Sequence, residues 1–231
     1  MKERPILFSG AMVRALLNGS KTQTRRICKP AANLSAVVEV PDPAERGQVY
    51  NGSHFGDEDG EVQFACPYGG RGDRLWVRET WQGPLLKEFE TDADADWHTP
   101  ARIHQYQNPA HCAYAADGGP APEFFDLDDN LQQRWRPSIH MPRWASRLTL
   151  ELASVRVERL QDISEADALA EGIVRQPDGG YGLADTTHYH ATDPRICYWS
   201  LWDHINGAGS VESNPFVWVL GFPSTTTPAQ P

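Results

Sequence analysis

Hydrophobic positions fall into four segments separated by polar stretches, and the spacing within each predicts its element. In the first, Pro5-Ile6-Leu7-Phe8 reads as a short strand, and Met12, Ala15, Leu16 and Gly19 then recur at helical spacing, with Ser9 as N-cap and Asn18-Gly19 as stop. Thr22 to Ile27 predicts a strand, being threonine-rich and closed by Pro30. The second segment, Gly72 to Trp81, is a Gly-Asp turn leading into alternating residues, with Leu75, Val77 and Glu79 on one face. The third, Trp135 to Leu160, holds strand patterns at Ala145 to Leu152 and Val155 to Leu160. Ser164, with Asp167 three residues on, opens a helix that Gly172 ends. Pro194 sits in the first turn of a further helix carrying Ile196, Trp199, Leu201 and Trp202. Phe216 to Phe222 is apolar on both faces and predicts a buried strand.

Polar stretches at about 30–65, 83–133 and 174–193 read as insertions, and 224–231 as a disordered tail. One domain over 1–223 is the expected organisation. The expected fold class is α+β: a small mixed β-barrel with a few flanking helices and long loop insertions. The 18 prolines and 19 glycines fit that turn-rich layout.

A net charge of −10 argues against broad, salt-driven binding to a phosphate backbone, although residues 1–30 and 131–150 are locally basic. Four separated cysteines without a C-x-x-C pair predict reduced thiols. The N-terminal apolar run is too short for a signal segment, and no stretch approaches the roughly 20 apolar residues of a spanning helix. A cytoplasmic location and no membrane partner are expected. The acidic runs Asp92 to Asp96 and Asp126 to Asp129 lack the ligand register of a calcium loop. His188, His190, Cys197 and His204 lack the tight pairing of a structural zinc site. Neither a metal nor a cofactor is expected, and the nucleophile-elbow, phosphate-loop and zinc-deaminase motifs are absent.

The unusual cluster is Lys21-Thr22-Gln23-Thr24-Arg25-Arg26. A threonine hydroxyl becomes a nucleophile when a base takes its proton, and a lysine serves as that base when neighbouring cations lower its proton affinity, as Arg25 and Arg26 would. Strand alternation puts Thr22, Thr24 and Arg26 on one face and Lys21 on the other, so Lys21 meets Thr24 only where a turn or bulge rotates it. By helical position alone, Glu171 lies off the stripe Ile163, Ala166, Ala170 and Ile173, which describes a solvated carboxylate. Trp135 to Trp144 interleaves aromatic and basic residues. That pattern suits either a nucleoside pocket, with His140 and Arg143 as contacts, or a rigid loop over buried tryptophans.

These motifs resemble the ASCH domains of the PUA-like small barrels. The resemblance rests on Lys21-Thr22-x-Thr24-x-Arg26, Gly72-Asp73-x-Leu75-x-Val77, Ile163-Ser164-Glu165-x-x-Ala168-x-x-Glu171-Gly172 and Val217-x-Val219-x-x-Phe222, over about half the chain. It is closest to a long, prophage-type version of the small bacterial N4-acetylcytidine amidohydrolases, which lack the three insertions. It implies Lys21, Thr24 and Glu171 as the catalytic set, acting on a small modified nucleoside. Arg26, Thr22, Glu79, Trp81, His140 and Arg143 are the expected substrate contacts. The alternatives are an RNA-binding module and an ASCH-type ribonuclease, in which RNA is the partner.

Overall fold

Alternating β-branched and aromatic residues pair into antiparallel strands in the computed structural model, which describes residues 1–40, 54–85, 103–125, 130–184, 191–223 and 227–228. The main elements are β1 (Glu3–Leu7), α1 (Gly10–Leu17), β2 (Gln23–Ile27), β3 (Arg74–Arg78), β4 (Leu148–Glu151), β5 (Ser154–Arg159), α2 (Glu165–Ala170), α3 (Pro194–Asn206) and β6 (Phe216–Gly221). The class is mixed α+β, with small sheets and few helices, and the strands of the described residues form no closed barrel. Two compact units divide the chain. Unit 1 comprises Met1–Arg4, Ala15–Leu75 and Leu150–Thr226; unit 2 comprises Pro5–Arg14, Trp76–Thr149 and Thr227–Pro231.

In unit 1, β6 is the middle strand of the order β5-β6-β2, antiparallel to both neighbours. Phe216 through Leu220 are all buried, as a strand apolar on both faces requires. Register sets the functional residues. Arg25 lies across from Val219, which lies across from Arg156, so these share one face; Thr24 pairs with Leu220 and Arg26 with Trp218 on the other. Trp218 is covered edge-on by Phe55 and Phe64, with ring centroids at 5.1 and 5.8 Å. Those two phenylalanines come from short paired strands, His54–Gly56 and Gln63–Ala65, so part of the expected 30–65 insertion supplies core. Residues 41–53 lie outside the described residues.

Ser164 caps α2 by accepting the Asp167 N–H at 3.1 Å. Gly172 follows the helix at φ +99°, where a Cβ would come within 3.2 Å of the Ala15 Cβ and 3.5 Å of the Lys21 Cβ. In α3, Asp193 is the N-cap and Pro194 occupies the first turn. Its buried face is Cys197, Tyr198, Leu201 and Trp202; Ile196, expected on the apolar face, is exposed. The hairpin Ile173–Arg175/Tyr181–Leu183 structures part of the 174–193 insertion, and residues 185–190, with His188 and His190, lie outside the described residues.

Unit 2 holds most of a sheet in the order β1, β3, β4 and Thr227–Pro228. Trp81, Tyr114, Met141 and Ala145 form its core, with Cys112 and Trp144 packed against it. Within the 83–133 insertion, Ala113–Tyr114 pairs with Trp81–Gln82, and Glu123–Phe125 pairs with Leu131–Gln133. Both acidic runs, Asp92 to Asp96 and Asp126 to Asp129, lie outside the described residues.

Trp218→Ala should lower unfolding stability by about 3–5 kcal/mol, the cost of emptying a large aromatic site. Gly172→Ala should cost about 1–3 kcal/mol, because φ +99° strains any residue with a Cβ. Urea denaturation followed by tryptophan fluorescence measures both, and a near-neutral Gly172→Ala would contradict the close approach to Lys21.

Candidate functional site

The turn after α1 places Lys21 through its main chain. Its N–H donates to the Ala15 carbonyl at 3.0 Å, and the residue forms an isolated antiparallel bridge with Glu171. Thr22 continues the contact, donating its N–H to the Ala170 carbonyl at 2.8 Å and accepting the Phe222 N–H at 2.9 Å. The end of α2 and the end of β6 are thus both pinned to residues 21–22. Each backbone group in this junction finds a partner, so the junction can be buried.

On that frame the Lys21 Nζ donates to the Glu171 Oε2 at 2.7 Å and to the Glu171 carbonyl at 2.8 Å. The other carboxylate oxygen, Oε1, accepts from the Arg25 Nη1 at 3.3 Å. Arg25 Nη2 reaches Glu158 Oε2 at 3.0 Å and Asp167 Oδ2 at 3.3 Å. Arg156 binds both acids from outside, Glu158 through Nε and Asp167 through Nη2 at 3.1 Å. Thr24 takes a different partner: its Oγ1 accepts from the Arg26 Nη1 at 2.8 Å, and the same Nη1 donates to the Arg25 carbonyl. Lys21, Thr24 and Glu171 are 2%, 1% and 3% exposed, so the cluster works in a low-dielectric interior where charge interactions are strong.

Burial is the main cause of a lowered Lys21 pKa; Glu171 opposes it, and Arg26 and Arg25 add to it. The two arginines therefore act in the direction that their positions in the sequence predict. The Asp167 carboxyl is held below its ordinary range because Arg25 and a hydrogen bond from Ser164 outweigh its burial. Tyr198, fully buried on α3 with the Arg25 guanidinium 6.0 Å from its ring centroid, keeps its phenol proton because burial and the Glu171 charge both disfavour the phenolate. Burial also raises the thiols of Cys28 and Cys197 to about 11 and that of Cys66 to about 12, which leaves them poor nucleophiles at neutral pH. No group of three or more His, Cys, Asp or Glu among the described residues could hold a metal ion.

Glu171 corrects the helical-wheel expectation of a solvated carboxylate. It sits at the C-cap of α2, where the chain turns inward, while Ala166 of the expected apolar stripe is exposed. Arg25, Glu158, Asp167 and Tyr198 are the site residues that sequence reasoning did not single out. Strand alternation was the available signal for Arg25, since it puts Lys21, Gln23 and Arg25 on one side. Asp167 drew notice only as a capping residue, yet its carboxylate also pairs with two arginines.

The other expected substrate contacts divide between the units. Thr22 and Arg26 are half-buried beside the cluster in unit 1. Glu79, Trp81, His140 and Arg143 belong to unit 2. Glu79 is buried in a two-pronged pair with Arg147, at 2.9 and 3.0 Å, and burial keeps its carboxyl above the usual range despite that partner. Arg147 also binds Asp117 and lies 4.0 Å from the Tyr114 ring centroid. Trp81 is core, edge-on to Trp144. His140 is exposed on a short 3-10 turn, and the half-buried Arg143 reaches Thr149 Oγ1 at 3.4 Å. No protein-family model, curated protein or solved structure matches the chain.

A buried lysine with lowered proton affinity leaves a signature in stability. At pH values just under 10.5 the unfolded chain binds more protons at this site than the folded one, so the Lys21 contribution to stability rises with pH across that window. Subtracting the stability–pH curve of Lys21→Met from that of the wild type should therefore give a positive slope there. A flat or falling difference would show an amine that titrates no lower than in the unfolded chain.

Proposed function

We propose that the chain is an amidohydrolase of the ASCH type, on a PUA-like scaffold, that removes acyl groups from the exocyclic N4 amine of N4-acylated cytosine nucleosides such as N4-acetylcytidine. The observation that carries the reading is the buried contact of a lysine amine with a carboxylate at 2.7 Å, beside a threonine whose hydroxyl oxygen is held by a guanidinium. Amide cleavage needs those groups: a base for the nucleophile, a positive charge near the developing oxyanion, and an acid for the departing amine.

In this reading Thr24 Oγ1 attacks the acyl carbon and its proton passes to Lys21. Arg26, already a donor to that oxygen, stabilises the charge that develops there and at the acyl oxygen. The C–N4 bond breaks as the proton shared by Lys21 and Glu171 reaches N4, releasing the cytosine nucleoside and leaving an ester on Thr24. Water, deprotonated by the same pair, then attacks the ester and frees the carboxylic acid. The 2.7 Å contact lets one proton serve both steps without entering bulk water.

A second reading, docking of a short RNA strand, is favoured by the segment after Arg134. There the exposed Arg136 lies 5.4 Å from the Trp81 ring centroid, and Arg134 is the charge that most lowers its proton affinity after burial. Salt separates the two. A nucleoside has no phosphate, so kcat/KM should change less than about threefold between roughly 50 and 200 mM salt, whereas four phosphate contacts would cost close to fiftyfold in affinity.

Acetate release from N4-acetylcytidine tests the proposal directly. Thr24→Ala should abolish turnover, and Glu171→Gln should lower the rate about 10²–10⁴-fold while the protein stays folded by circular dichroism. A wild-type protein that releases no acetate, yet binds RNA with steep salt dependence, would replace the enzyme reading with the binding one.

A further inference from the structure

We infer that Arg25 is a positioning residue for the Lys21–Glu171 pair: its guanidinium holds one oxygen of the Glu171 carboxylate so that the other stays on the lysine amine. The inference rests on the amidohydrolase reading for its kinetic consequence only.

The last torsion of a glutamate is soft, so nothing in the side chain itself fixes which oxygen faces which partner. Here Oε2 is on Lys21 at 2.7 Å and Oε1 on Arg25 at 3.3 Å, and turning the carboxylate would break both contacts. Arg25 can act as the fixed jaw because it is itself immobile. Its Nη2 is held by Glu158 of β5 and Asp167 of α2, at 3.0 and 3.3 Å, and its side chain is wholly shielded from solvent. A guanidinium suits the role, since its planar donor fork serves several carboxylates at once and keeps its proton throughout the accessible pH range.

The charged and titratable groups around the pair come from every element packed on it. They are Arg25 and Arg26 of β2, Arg156 and Glu158 of β5, Asp167 at the start of α2, and Tyr198 of α3, with Tyr68 beside Arg26. Glu158 and Asp167 are each shared with Arg156, whereas the Glu171 carboxylate meets Lys21 and Arg25. Removing Arg25 therefore changes both the orientation of Glu171 and the field at the amine, while a lysine in its place keeps the charge and loses the fork.

The test uses the full chain and two independent readings: the titration of the Lys21 side-chain nitrogen by 15N NMR, assigned with Lys21→Met, and the pH profile of acetate release from N4-acetylcytidine. Arg25→Met should raise the Lys21 midpoint by about one pH unit and move the acid limb of the profile the same way. Arg25→Lys should leave the midpoint in place but lower kcat with KM unchanged. Glu158→Gln, at a partly exposed site, should also lower kcat several-fold without changing KM, and it decides the matter if Arg25→Met fails to fold. An unmoved midpoint in folded Arg25→Met, an equal shift in Arg25→Lys, or an unchanged kcat in Glu158→Gln would each overturn the inference. If the wild type releases no acetate, the amidohydrolase reading fails, and the NMR midpoints in Arg25→Met and Arg25→Lys still decide the role of Arg25.

Discussion

Two cations on one five-residue stretch, Lys21 and Arg25, are taken out of water, and everything around them in unit 1 answers that demand. A buried ammonium or guanidinium without a counter-charge costs several kcal/mol, so carboxylates must be brought to it. Glu171 and Asp167 arrive on α2 and Glu158 on β5, which ties the helix and the far strand of the sheet to β2. The angle at which α2 leaves the sheet is thereby constrained at both ends: Asp167 in its first turn and Glu171 at its C-cap both reach into one cluster. Gly172 then has to reverse the chain in the little space left beside Lys21.

A different solution to charge burial operates in unit 2. There one carboxylate, Glu79, is matched by one guanidinium, Arg147, in a two-pronged contact, and the remaining donors go to Asp117 at the surface. That pair has no third member competing for the acid. The contrast is chemical: Glu79 has both oxygens on a group that holds its proton permanently, whereas Glu171 has one oxygen on an amine able to give its proton up.

The elements of the fold were legible wherever a period was strong. The strand Phe216–Gly221, the Ser164 cap and Pro194 in the first turn of α3 all stand where apolar runs and capping residues put them. The burial of Glu171 was not legible, because helical position describes residues inside a helix, and Glu171 is the residue at which the helix ends. Arg25 was hidden for a related reason: an arginine in a threonine-rich strand looks solvated until the strand that supplies its counter-charge, 130 residues away, is placed beside it. Phe55 and Phe64 sit in a stretch whose glycine, proline and acid content reads as loop, and only their contact with Trp218 marks them as core. Catalytic assignment of Lys21, Thr24 and Glu171 drew on resemblance, since spacing alone leaves Lys21 and Thr24 on opposite sides of the strand.

Residues 21 and 22 are located by main-chain hydrogen bonds to Ala15, Ala170 and Phe222, none of which depends on a side chain. Such a junction is permissive in evolutionary terms. A lineage could exchange the lysine, or lose the threonine two residues on, and still assemble the same scaffold around the vacated position. The scaffold could then outlive the chemistry, and two chains with one backbone could differ in whether they break an amide bond or merely hold a base. Telling such chains apart would fall to the identity of a few buried side chains, because the architecture that carries them would be shared.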